Sequence, residues 1–147
     1  MRLEYVTRQG RTERVSVVMA GSERGLLYDA VMTECERLDH RAHGGSWRTA
    51  RSRNARKALP AFQLLRDGLH VSDDVMVVSK RDITRLTDAL FRESQMLANI
   101  SDFSSTSGRS EAMAELRAVI GAEVIRLSPD LAETSAQHDA NLEAGRV

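Results

Sequence analysis

This chain has little with which to staple itself together and few rings to stack. Its 147 residues hold one cysteine, Cys35, two prolines and few aromatics: Trp47, three Phe and two Tyr. A lone thiol excludes an intramolecular disulfide and any metal framework built on thiols alone, and it suits a reducing compartment. No apolar run approaches the ~18 residues that a membrane-spanning helix requires. The opening segment Met1-Arg2-Leu3-Glu4-Tyr5 has no apolar signal core. A cytoplasmic protein without membrane contact is expected. No Gly-x-Gly-x-x-Gly run occurs, and no Walker lysine is followed by Ser or Thr. No helix-turn-helix, zinc-finger or RNA-recognition pattern and no internal repeat is present. With no catalytic signature either, the expectation is a protein that is not an enzyme and needs no cofactor or metal.

What remains is one ordinary domain's worth of aliphatic residues. A chain of this size buries roughly 68–70% of the surface its unfolded form exposes, so it needs no staples. Leu, Val, Ile, Met and Ala must build the core. Charge is abundant and balanced, with 21 basic against 21 acidic residues. Arginine supplies nearly all the positive charge, 19 residues against two lysines. That bias fits a GC-rich genome, such as that of an actinobacterium or its phage.

The balance is not local. From His40 to Arg66 the sequence has no carboxylate, but it carries Arg41, Arg48, Arg51, Arg53, Arg56, Lys57 and Arg66. Segregated positive charge creates a field that attracts polyanions or an acidic partner. From Arg109 onward the sign reverses, with four basic and seven acidic residues.

Hydrophobic spacing predicts the elements. Residues 2–8 alternate and 12–20 end in an apolar β-branched run, which reads as a hairpin with its turn at 9–11. Leu3 and Tyr5, with Thr7 beside them, would share a face with Val15, Val17 and Met19. Leu27, Val31, Cys35 and Leu38 define a helix over about 23–40, with Ser22 as N-cap and His43-Gly44-Gly45 as its end. Ser46 would cap a second helix ending near Leu59, because Pro60 should kink or stop it. On that helix Trp47, Ala50, Asn54, Ala58 and Ala61 fall in one sector, and the basic residues spread over the rest. A short helix over 60–67 would follow. Val75–Val78 reads as a third strand, and Ser79 with Asp82 as a capping box opening a helix over 80–99. The Ser- and Gly-rich stretch 101–110 reads as a mobile loop, followed by a helix over 110–127. Ser128-Pro129-Asp130 would start a last helical segment anchored by Leu131 and Leu142. The expected fold is α+β: an N-terminal hairpin and one short further strand packed against four to five helices. Residues 1–127 would form the domain and 128–147 a helical tail that frays.

Five groups of residues are candidates for function. In the basic segment, Arg48, Arg51, Arg53, Arg56 and Lys57, with Arg41 nearby, could hold phosphates, and Trp47 could stack on a base or anchor a partner. One plain alternative is a solvated helix or a mobile loop in an arginine-biased proteome, and a second is pairing with the protein's own acidic helices. The turn Gly21-Ser22-Glu23-Arg24-Gly25 joins a strand to a helix, so Gly21, Ser22, Arg24 and Gly25 could cradle an anion. It could equally be an ordinary capped turn. Cys35, Asp39, His40 and His43 lie at helical spacing and include zinc-type ligands, and the same histidines with Arg37 and Arg41 could serve RNA cleavage. A buried core cysteine explains that cluster more simply. His70 with Asp73 and Asp74 could act as acid and base, although two adjacent aspartates more often make a turn. Finally, the amphipathic C-terminal helices could pair between chains, giving a homo-oligomer. Two functions compete. One is a small nucleic-acid-binding or regulatory protein, the kind of product a phage or mobile element encodes. The other is an adaptor or inhibitor whose basic segment docks on an acidic protein.

Overall fold

Alternation in the first eighteen residues and in 75–78 produces one antiparallel sheet, and most of the other described residues are helical, as expected for the α+β class. The computed structural model describes residues 1–8, 11–44, 48–71, 73–100, 104–127 and 137–145. Strand β1 (Arg2–Arg8) pairs with β2 (Arg11–Val18), and β2 pairs with β3 (Val75–Val78), in the order β1-β2-β3. Leu3 stands opposite Val17, and Tyr5 opposite Val15. Leu3, Val15, Val17, Met76 and Val78 are buried, whereas Val75 and Val77 are exposed. That is the period of a sheet wet on one face only. A bulge interrupts the pairing between Val6 and Thr7. Most of the expected turn at 9–11 lies outside the described residues. Strand β2 stops at Val18, short of the expected Ala20, but Met19 stays buried and its N–H donates to the Asp74 carbonyl at 2.9 Å.

Helix α1 (Gly21–His43) starts earlier than its apolar stripe predicts. Ala20, not Ser22, is the N-cap. The reason is Glu23: its carboxylate accepts the Ala20 N–H at 2.8 Å and pairs with the Met1 amino group at 3.0 Å. Leu27, Val31, Cys35 and Leu38 are buried as expected, and Glu34 is buried with them. Gly44 closes the helix, its N–H donating to the His40 carbonyl at 2.7 Å. A Cβ there would lie 2.6 Å from that same oxygen, so the position admits only glycine without a shift.

Helix α2 (Ala50–Val71) corrects the expected break at Pro60: the proline sits inside one continuous helix. Ser46 lies outside the described residues. Thr49 caps instead, its Oγ1 accepting the Ser52 N–H at 3.2 Å. The buried stripe is Ser52, Ala55, Leu59, Phe62, Leu65 and Leu69, not the sector of Ala50 and Asn54, both of which are exposed. Large apolar residues on the far side of Pro60 set the rotation of the helix. Their burial is worth ~1.5–3 kcal/mol per side chain, against about 3 kcal/mol for a mid-helix proline.

Helix α3 (Lys80–Ile100) opens with the predicted capping box. Ser79 N–H donates to Asp82 at 3.0 Å, and Asp82 N–H donates to the Ser79 hydroxyl at 3.2 Å. Helix α4 (Ser104–Leu127) overturns the expected loop, because residues 104–110 are helical. Here serine serves close packing: Ser110 is buried, and its hydroxyl donates to the Ser94 carbonyl at 2.8 Å. Met113, Leu116, Ile120 and Val124 bury the predicted face. The expected helix start at 128–130 lies outside the described residues, but 137–143 is helical. There Leu142 is buried, and Arg117 pairs with Asp139 at 3.2 Å and Glu143 at 3.3 Å.

Helix α1 packs on α2 and α3, α3 packs on α4, and α4 crosses β1. Glu123 and Arg126 of α4 grip the backbone of Leu3: Glu123 accepts its N–H at 3.1 Å, and Arg126 donates to its carbonyl at 2.5 Å. Among the described residues no helix is long and apolar enough to cross a membrane.

Candidate functional site

The predicted basic segment forms the start of α2. Trp47 lies outside the described residues. Arg48, Arg51, Arg53 and Lys57 are exposed, and Arg56 is half-buried. Because the buried stripe occupies only one side of the helix, these cations surround its remaining circumference. Arg51 and Lys57 have no carboxylate partner among the described residues. Arg53 donates to the backbone carbonyl of Arg48 at 3.0 Å. Arg56 departs from the expectation of an outward-facing side chain: it donates to the Ala42 carbonyl at 3.3 Å and so satisfies the last turn of α1.

A second feature becomes visible only in three dimensions. Arg37 and Arg41 of α1, Arg51 of α2 and Arg92 of α3 converge on one cleft of about 350 Å³. A neighbouring hollow of about 470 Å³ shares these four arginines and extends toward Arg85 and Asp88. The carboxylate at the centre is Glu34, only 3% exposed. Arg37 Nε donates to it at 2.9 Å, the second arm of Arg37 reaches its other oxygen, and Arg92 donates at 2.5 Å. Burial alone would push the Glu34 carboxyl up, but hydrogen bonds and charge from Arg37 and Arg92 outweigh it and hold the group below its ordinary value.

Arg41 has no such partner among the described residues. Partial burial, then the charges of Arg37, Arg51 and Arg92, lower its affinity for its own proton. The cleft therefore concentrates more positive charge than Glu34 neutralises. Its wall also holds Glu93, 8% exposed, which Thr33 hydrogen-bonds through one carboxylate oxygen. The other oxygen, Oε2, is buried with no hydrogen-bond partner among the described residues. Burial, with the charges of Glu36 and Glu34, raises this carboxyl above its ordinary value. Ala30, Ala89 and Met96 supply an apolar lining.

Sequence reasoning named Arg41 and Arg51 for this region but missed Glu34, Arg92 and Glu93 as members. The available signal for Glu34 was its place on the apolar stripe between Val31 and Leu38, three residues before Arg37. Nothing local announces Arg92, which is 58 positions away.

The remaining candidates are placed as follows. Gly21, Ser22, Arg24 and Gly25 form the first turn of α1, where Glu23 already supplies a negative charge. Cys35 is buried in the core, and burial raises its thiol. Asp39 and His43 pair with each other at 3.0 Å on the surface, and His40 is exposed. Among the described residues no three His, Cys, Asp or Glu side chains gather as metal ligands. His70 stacks obliquely on Tyr28 with ring centres 5.8 Å apart, and Asp73 and Asp74 are exposed in the segment before β3. Comparison of the chain with models of protein families, with curated proteins and with solved structures finds no match.

Proposed function

We propose that this is a small cytoplasmic, non-enzymatic protein that grips nucleic acid by its sugar–phosphate backbone. One observation carries the reading. Four arginines from three helices meet in a cleft whose central carboxylate offsets only part of their charge, and exposed Arg53 and Lys57 continue the positive surface along α2. Duplex DNA presents one negative charge per ~1.7 Å of axis, and a spread of guanidinium groups gains by releasing its condensed counterions. Arginine's fork suits phosphate oxygens. Contacts of this kind position a protein without reading sequence, so weak sequence preference is expected. The start of α2 adds the positive end of its helix dipole.

Fluorescence anisotropy with a labelled duplex and a labelled single strand, over a series of salt concentrations, tests this. Affinity should fall steeply, with a log–log slope of about −0.9 per duplex phosphate contacted. Arg51→Ala and Arg53→Ala should each reduce that slope by about one unit. A slope near zero would exclude the nucleic-acid reading. A discrete protein complex recovered from source lysate and lost with the same substitutions would instead support docking on an acidic protein.

A further inference from the structure

The cleft between α1 and α3 is built for more than one passing phosphodiester. Of its four guanidinium groups, those of Arg37 and Arg92 share Glu34, and Arg41 and Arg51 have no carboxylate partner among the described residues. Even with Glu93 ionised, two positive charges remain uncompensated. A phosphodiester carries one negative charge. A phosphomonoester carries about −1.5 to −2 at neutral pH and offers three acceptor oxygens. Of the two, the monoester matches the surplus.

The lining of the cleft gives a second, independent indication. Glu93 Oε2 is an acceptor buried without a partner among the described residues, in a side chain 8% exposed that lines the same cleft. A buried acceptor left unsatisfied costs about 1–3 kcal/mol, which a ligand hydrogen bond would recover. Ala30, Ala89 and Met96 beside it present surface for an uncharged organic part. A volume near 350 Å³ lies within the size range of small-ligand pockets.

We infer that this cleft receives a nucleotide phosphomonoester, with the phosphate between Arg41 and Arg51 and a hydrogen-bond donor of its organic part directed at Glu93 Oε2. The shared chemistry is a dianionic phosphate on a nucleotide, whether at the end of a strand or on a free mononucleotide. That a nucleotide carries the phosphate rests on the nucleic-acid reading above; the anion site itself does not.

Calorimetry on the wild-type protein at fixed salt, with inorganic phosphate, adenosine 5′-monophosphate and one oligonucleotide phosphorylated at its 5′ end, at its 3′ end or at neither, decides the matter. End-phosphorylated strands should bind at least tenfold tighter than the unphosphorylated strand, or the mononucleotide should bind by itself. The first result assigns a strand end and the second a free nucleotide. Arg41→Gln should abolish either preference. Glu93→Met should weaken mononucleotide binding several-fold while leaving inorganic phosphate unchanged. Equal binding of all three strands, with no heat from mononucleotide or phosphate, would overturn the inference. In that event a steep salt dependence on the unphosphorylated strand would still leave the nucleic-acid reading standing. Conversely, mononucleotide binding without any strand binding would keep the cleft and remove that reading. The wild-type titrations decide between these outcomes even if a variant folds poorly.

Discussion

Arg92 on α3 donates to Glu34 on α1 at 2.5 Å, joining two helices through a carboxylate that is 3% exposed. Arg37 completes the pairing from within α1. Because this carboxyl is held below its ordinary value of 4.5 in the folded state, its contribution to stability is present above that value. It is lost as pH falls through the depressed folded value. Glu34→Gln should therefore cost about 1–3 kcal/mol at neutral pH and remove part of the acid sensitivity. Glu93 has the opposite sign. Its folded-state value is raised, so ionisation opposes folding, and stability should rise as pH falls from that raised value toward 4.5. Glu93→Gln should flatten that rise. Urea unfolding at a series of pH values measures both effects.

The hydroxyls of Ser94 and Ser110 each donate to the other residue's backbone carbonyl, at 3.1 Å and 2.8 Å, and lie 3.2 Å apart. Ser94→Ala and Ser110→Ala should each cost about 0.5–1.5 kcal/mol. The double variant should cost less than the sum, because the pair acts as a unit. A larger side chain at 110, as in Ser110→Leu, should cost about 1–3 kcal/mol through overpacking of α3 against α4. Thermal melts followed by circular dichroism would show strict additivity if the two serines were independent.

Pro60 is exposed in the middle of α2 and has no N–H to offer the carbonyl of Arg56. Pro60→Ala should supply that donor and stabilise the protein by about 1–3 kcal/mol, read as a rise in Tm. Unchanged stability would mean that the stiffness proline gives the unfolded chain offsets the missing bond.

The parts of this fold that a sequence shows well are those fixed by near neighbours. Leu3, Val15 and Val17 announced the sheet face by alternation, and Ser79 with Asp82 announced the start of α3 by their spacing. Where local signals competed with tertiary packing, packing won. Pro60 argued for a stop, but Leu59, Phe62, Leu65 and Leu69 form one stripe that is buried only if the helix continues, and this turned the expected seam of Ala50 and Asn54 outward. The stretch 104–110 looked like a linker because the role of Ser110 in a close helix contact depends on a partner sixteen residues away. The site was half legible for the same reason. The excess of arginine near α2 is a property of the local sequence. Its meeting with Arg92, Glu34 and Glu93 depends on how α1, α2 and α3 stack.

The clasp of Glu123 and Arg126 on Leu3 bears on how this molecule behaves in a crowd. An outer strand with unsatisfied amides is a template on which a second chain can add itself, and repeated addition leads to fibres. On the β1 margin the amide and carbonyl of Leu3 are already engaged by side chains of α4. The opposite margin, β3, is four residues long and offers an incoming strand little purchase. Loosening the α4 clasp would give the sheet a side on which it could polymerise.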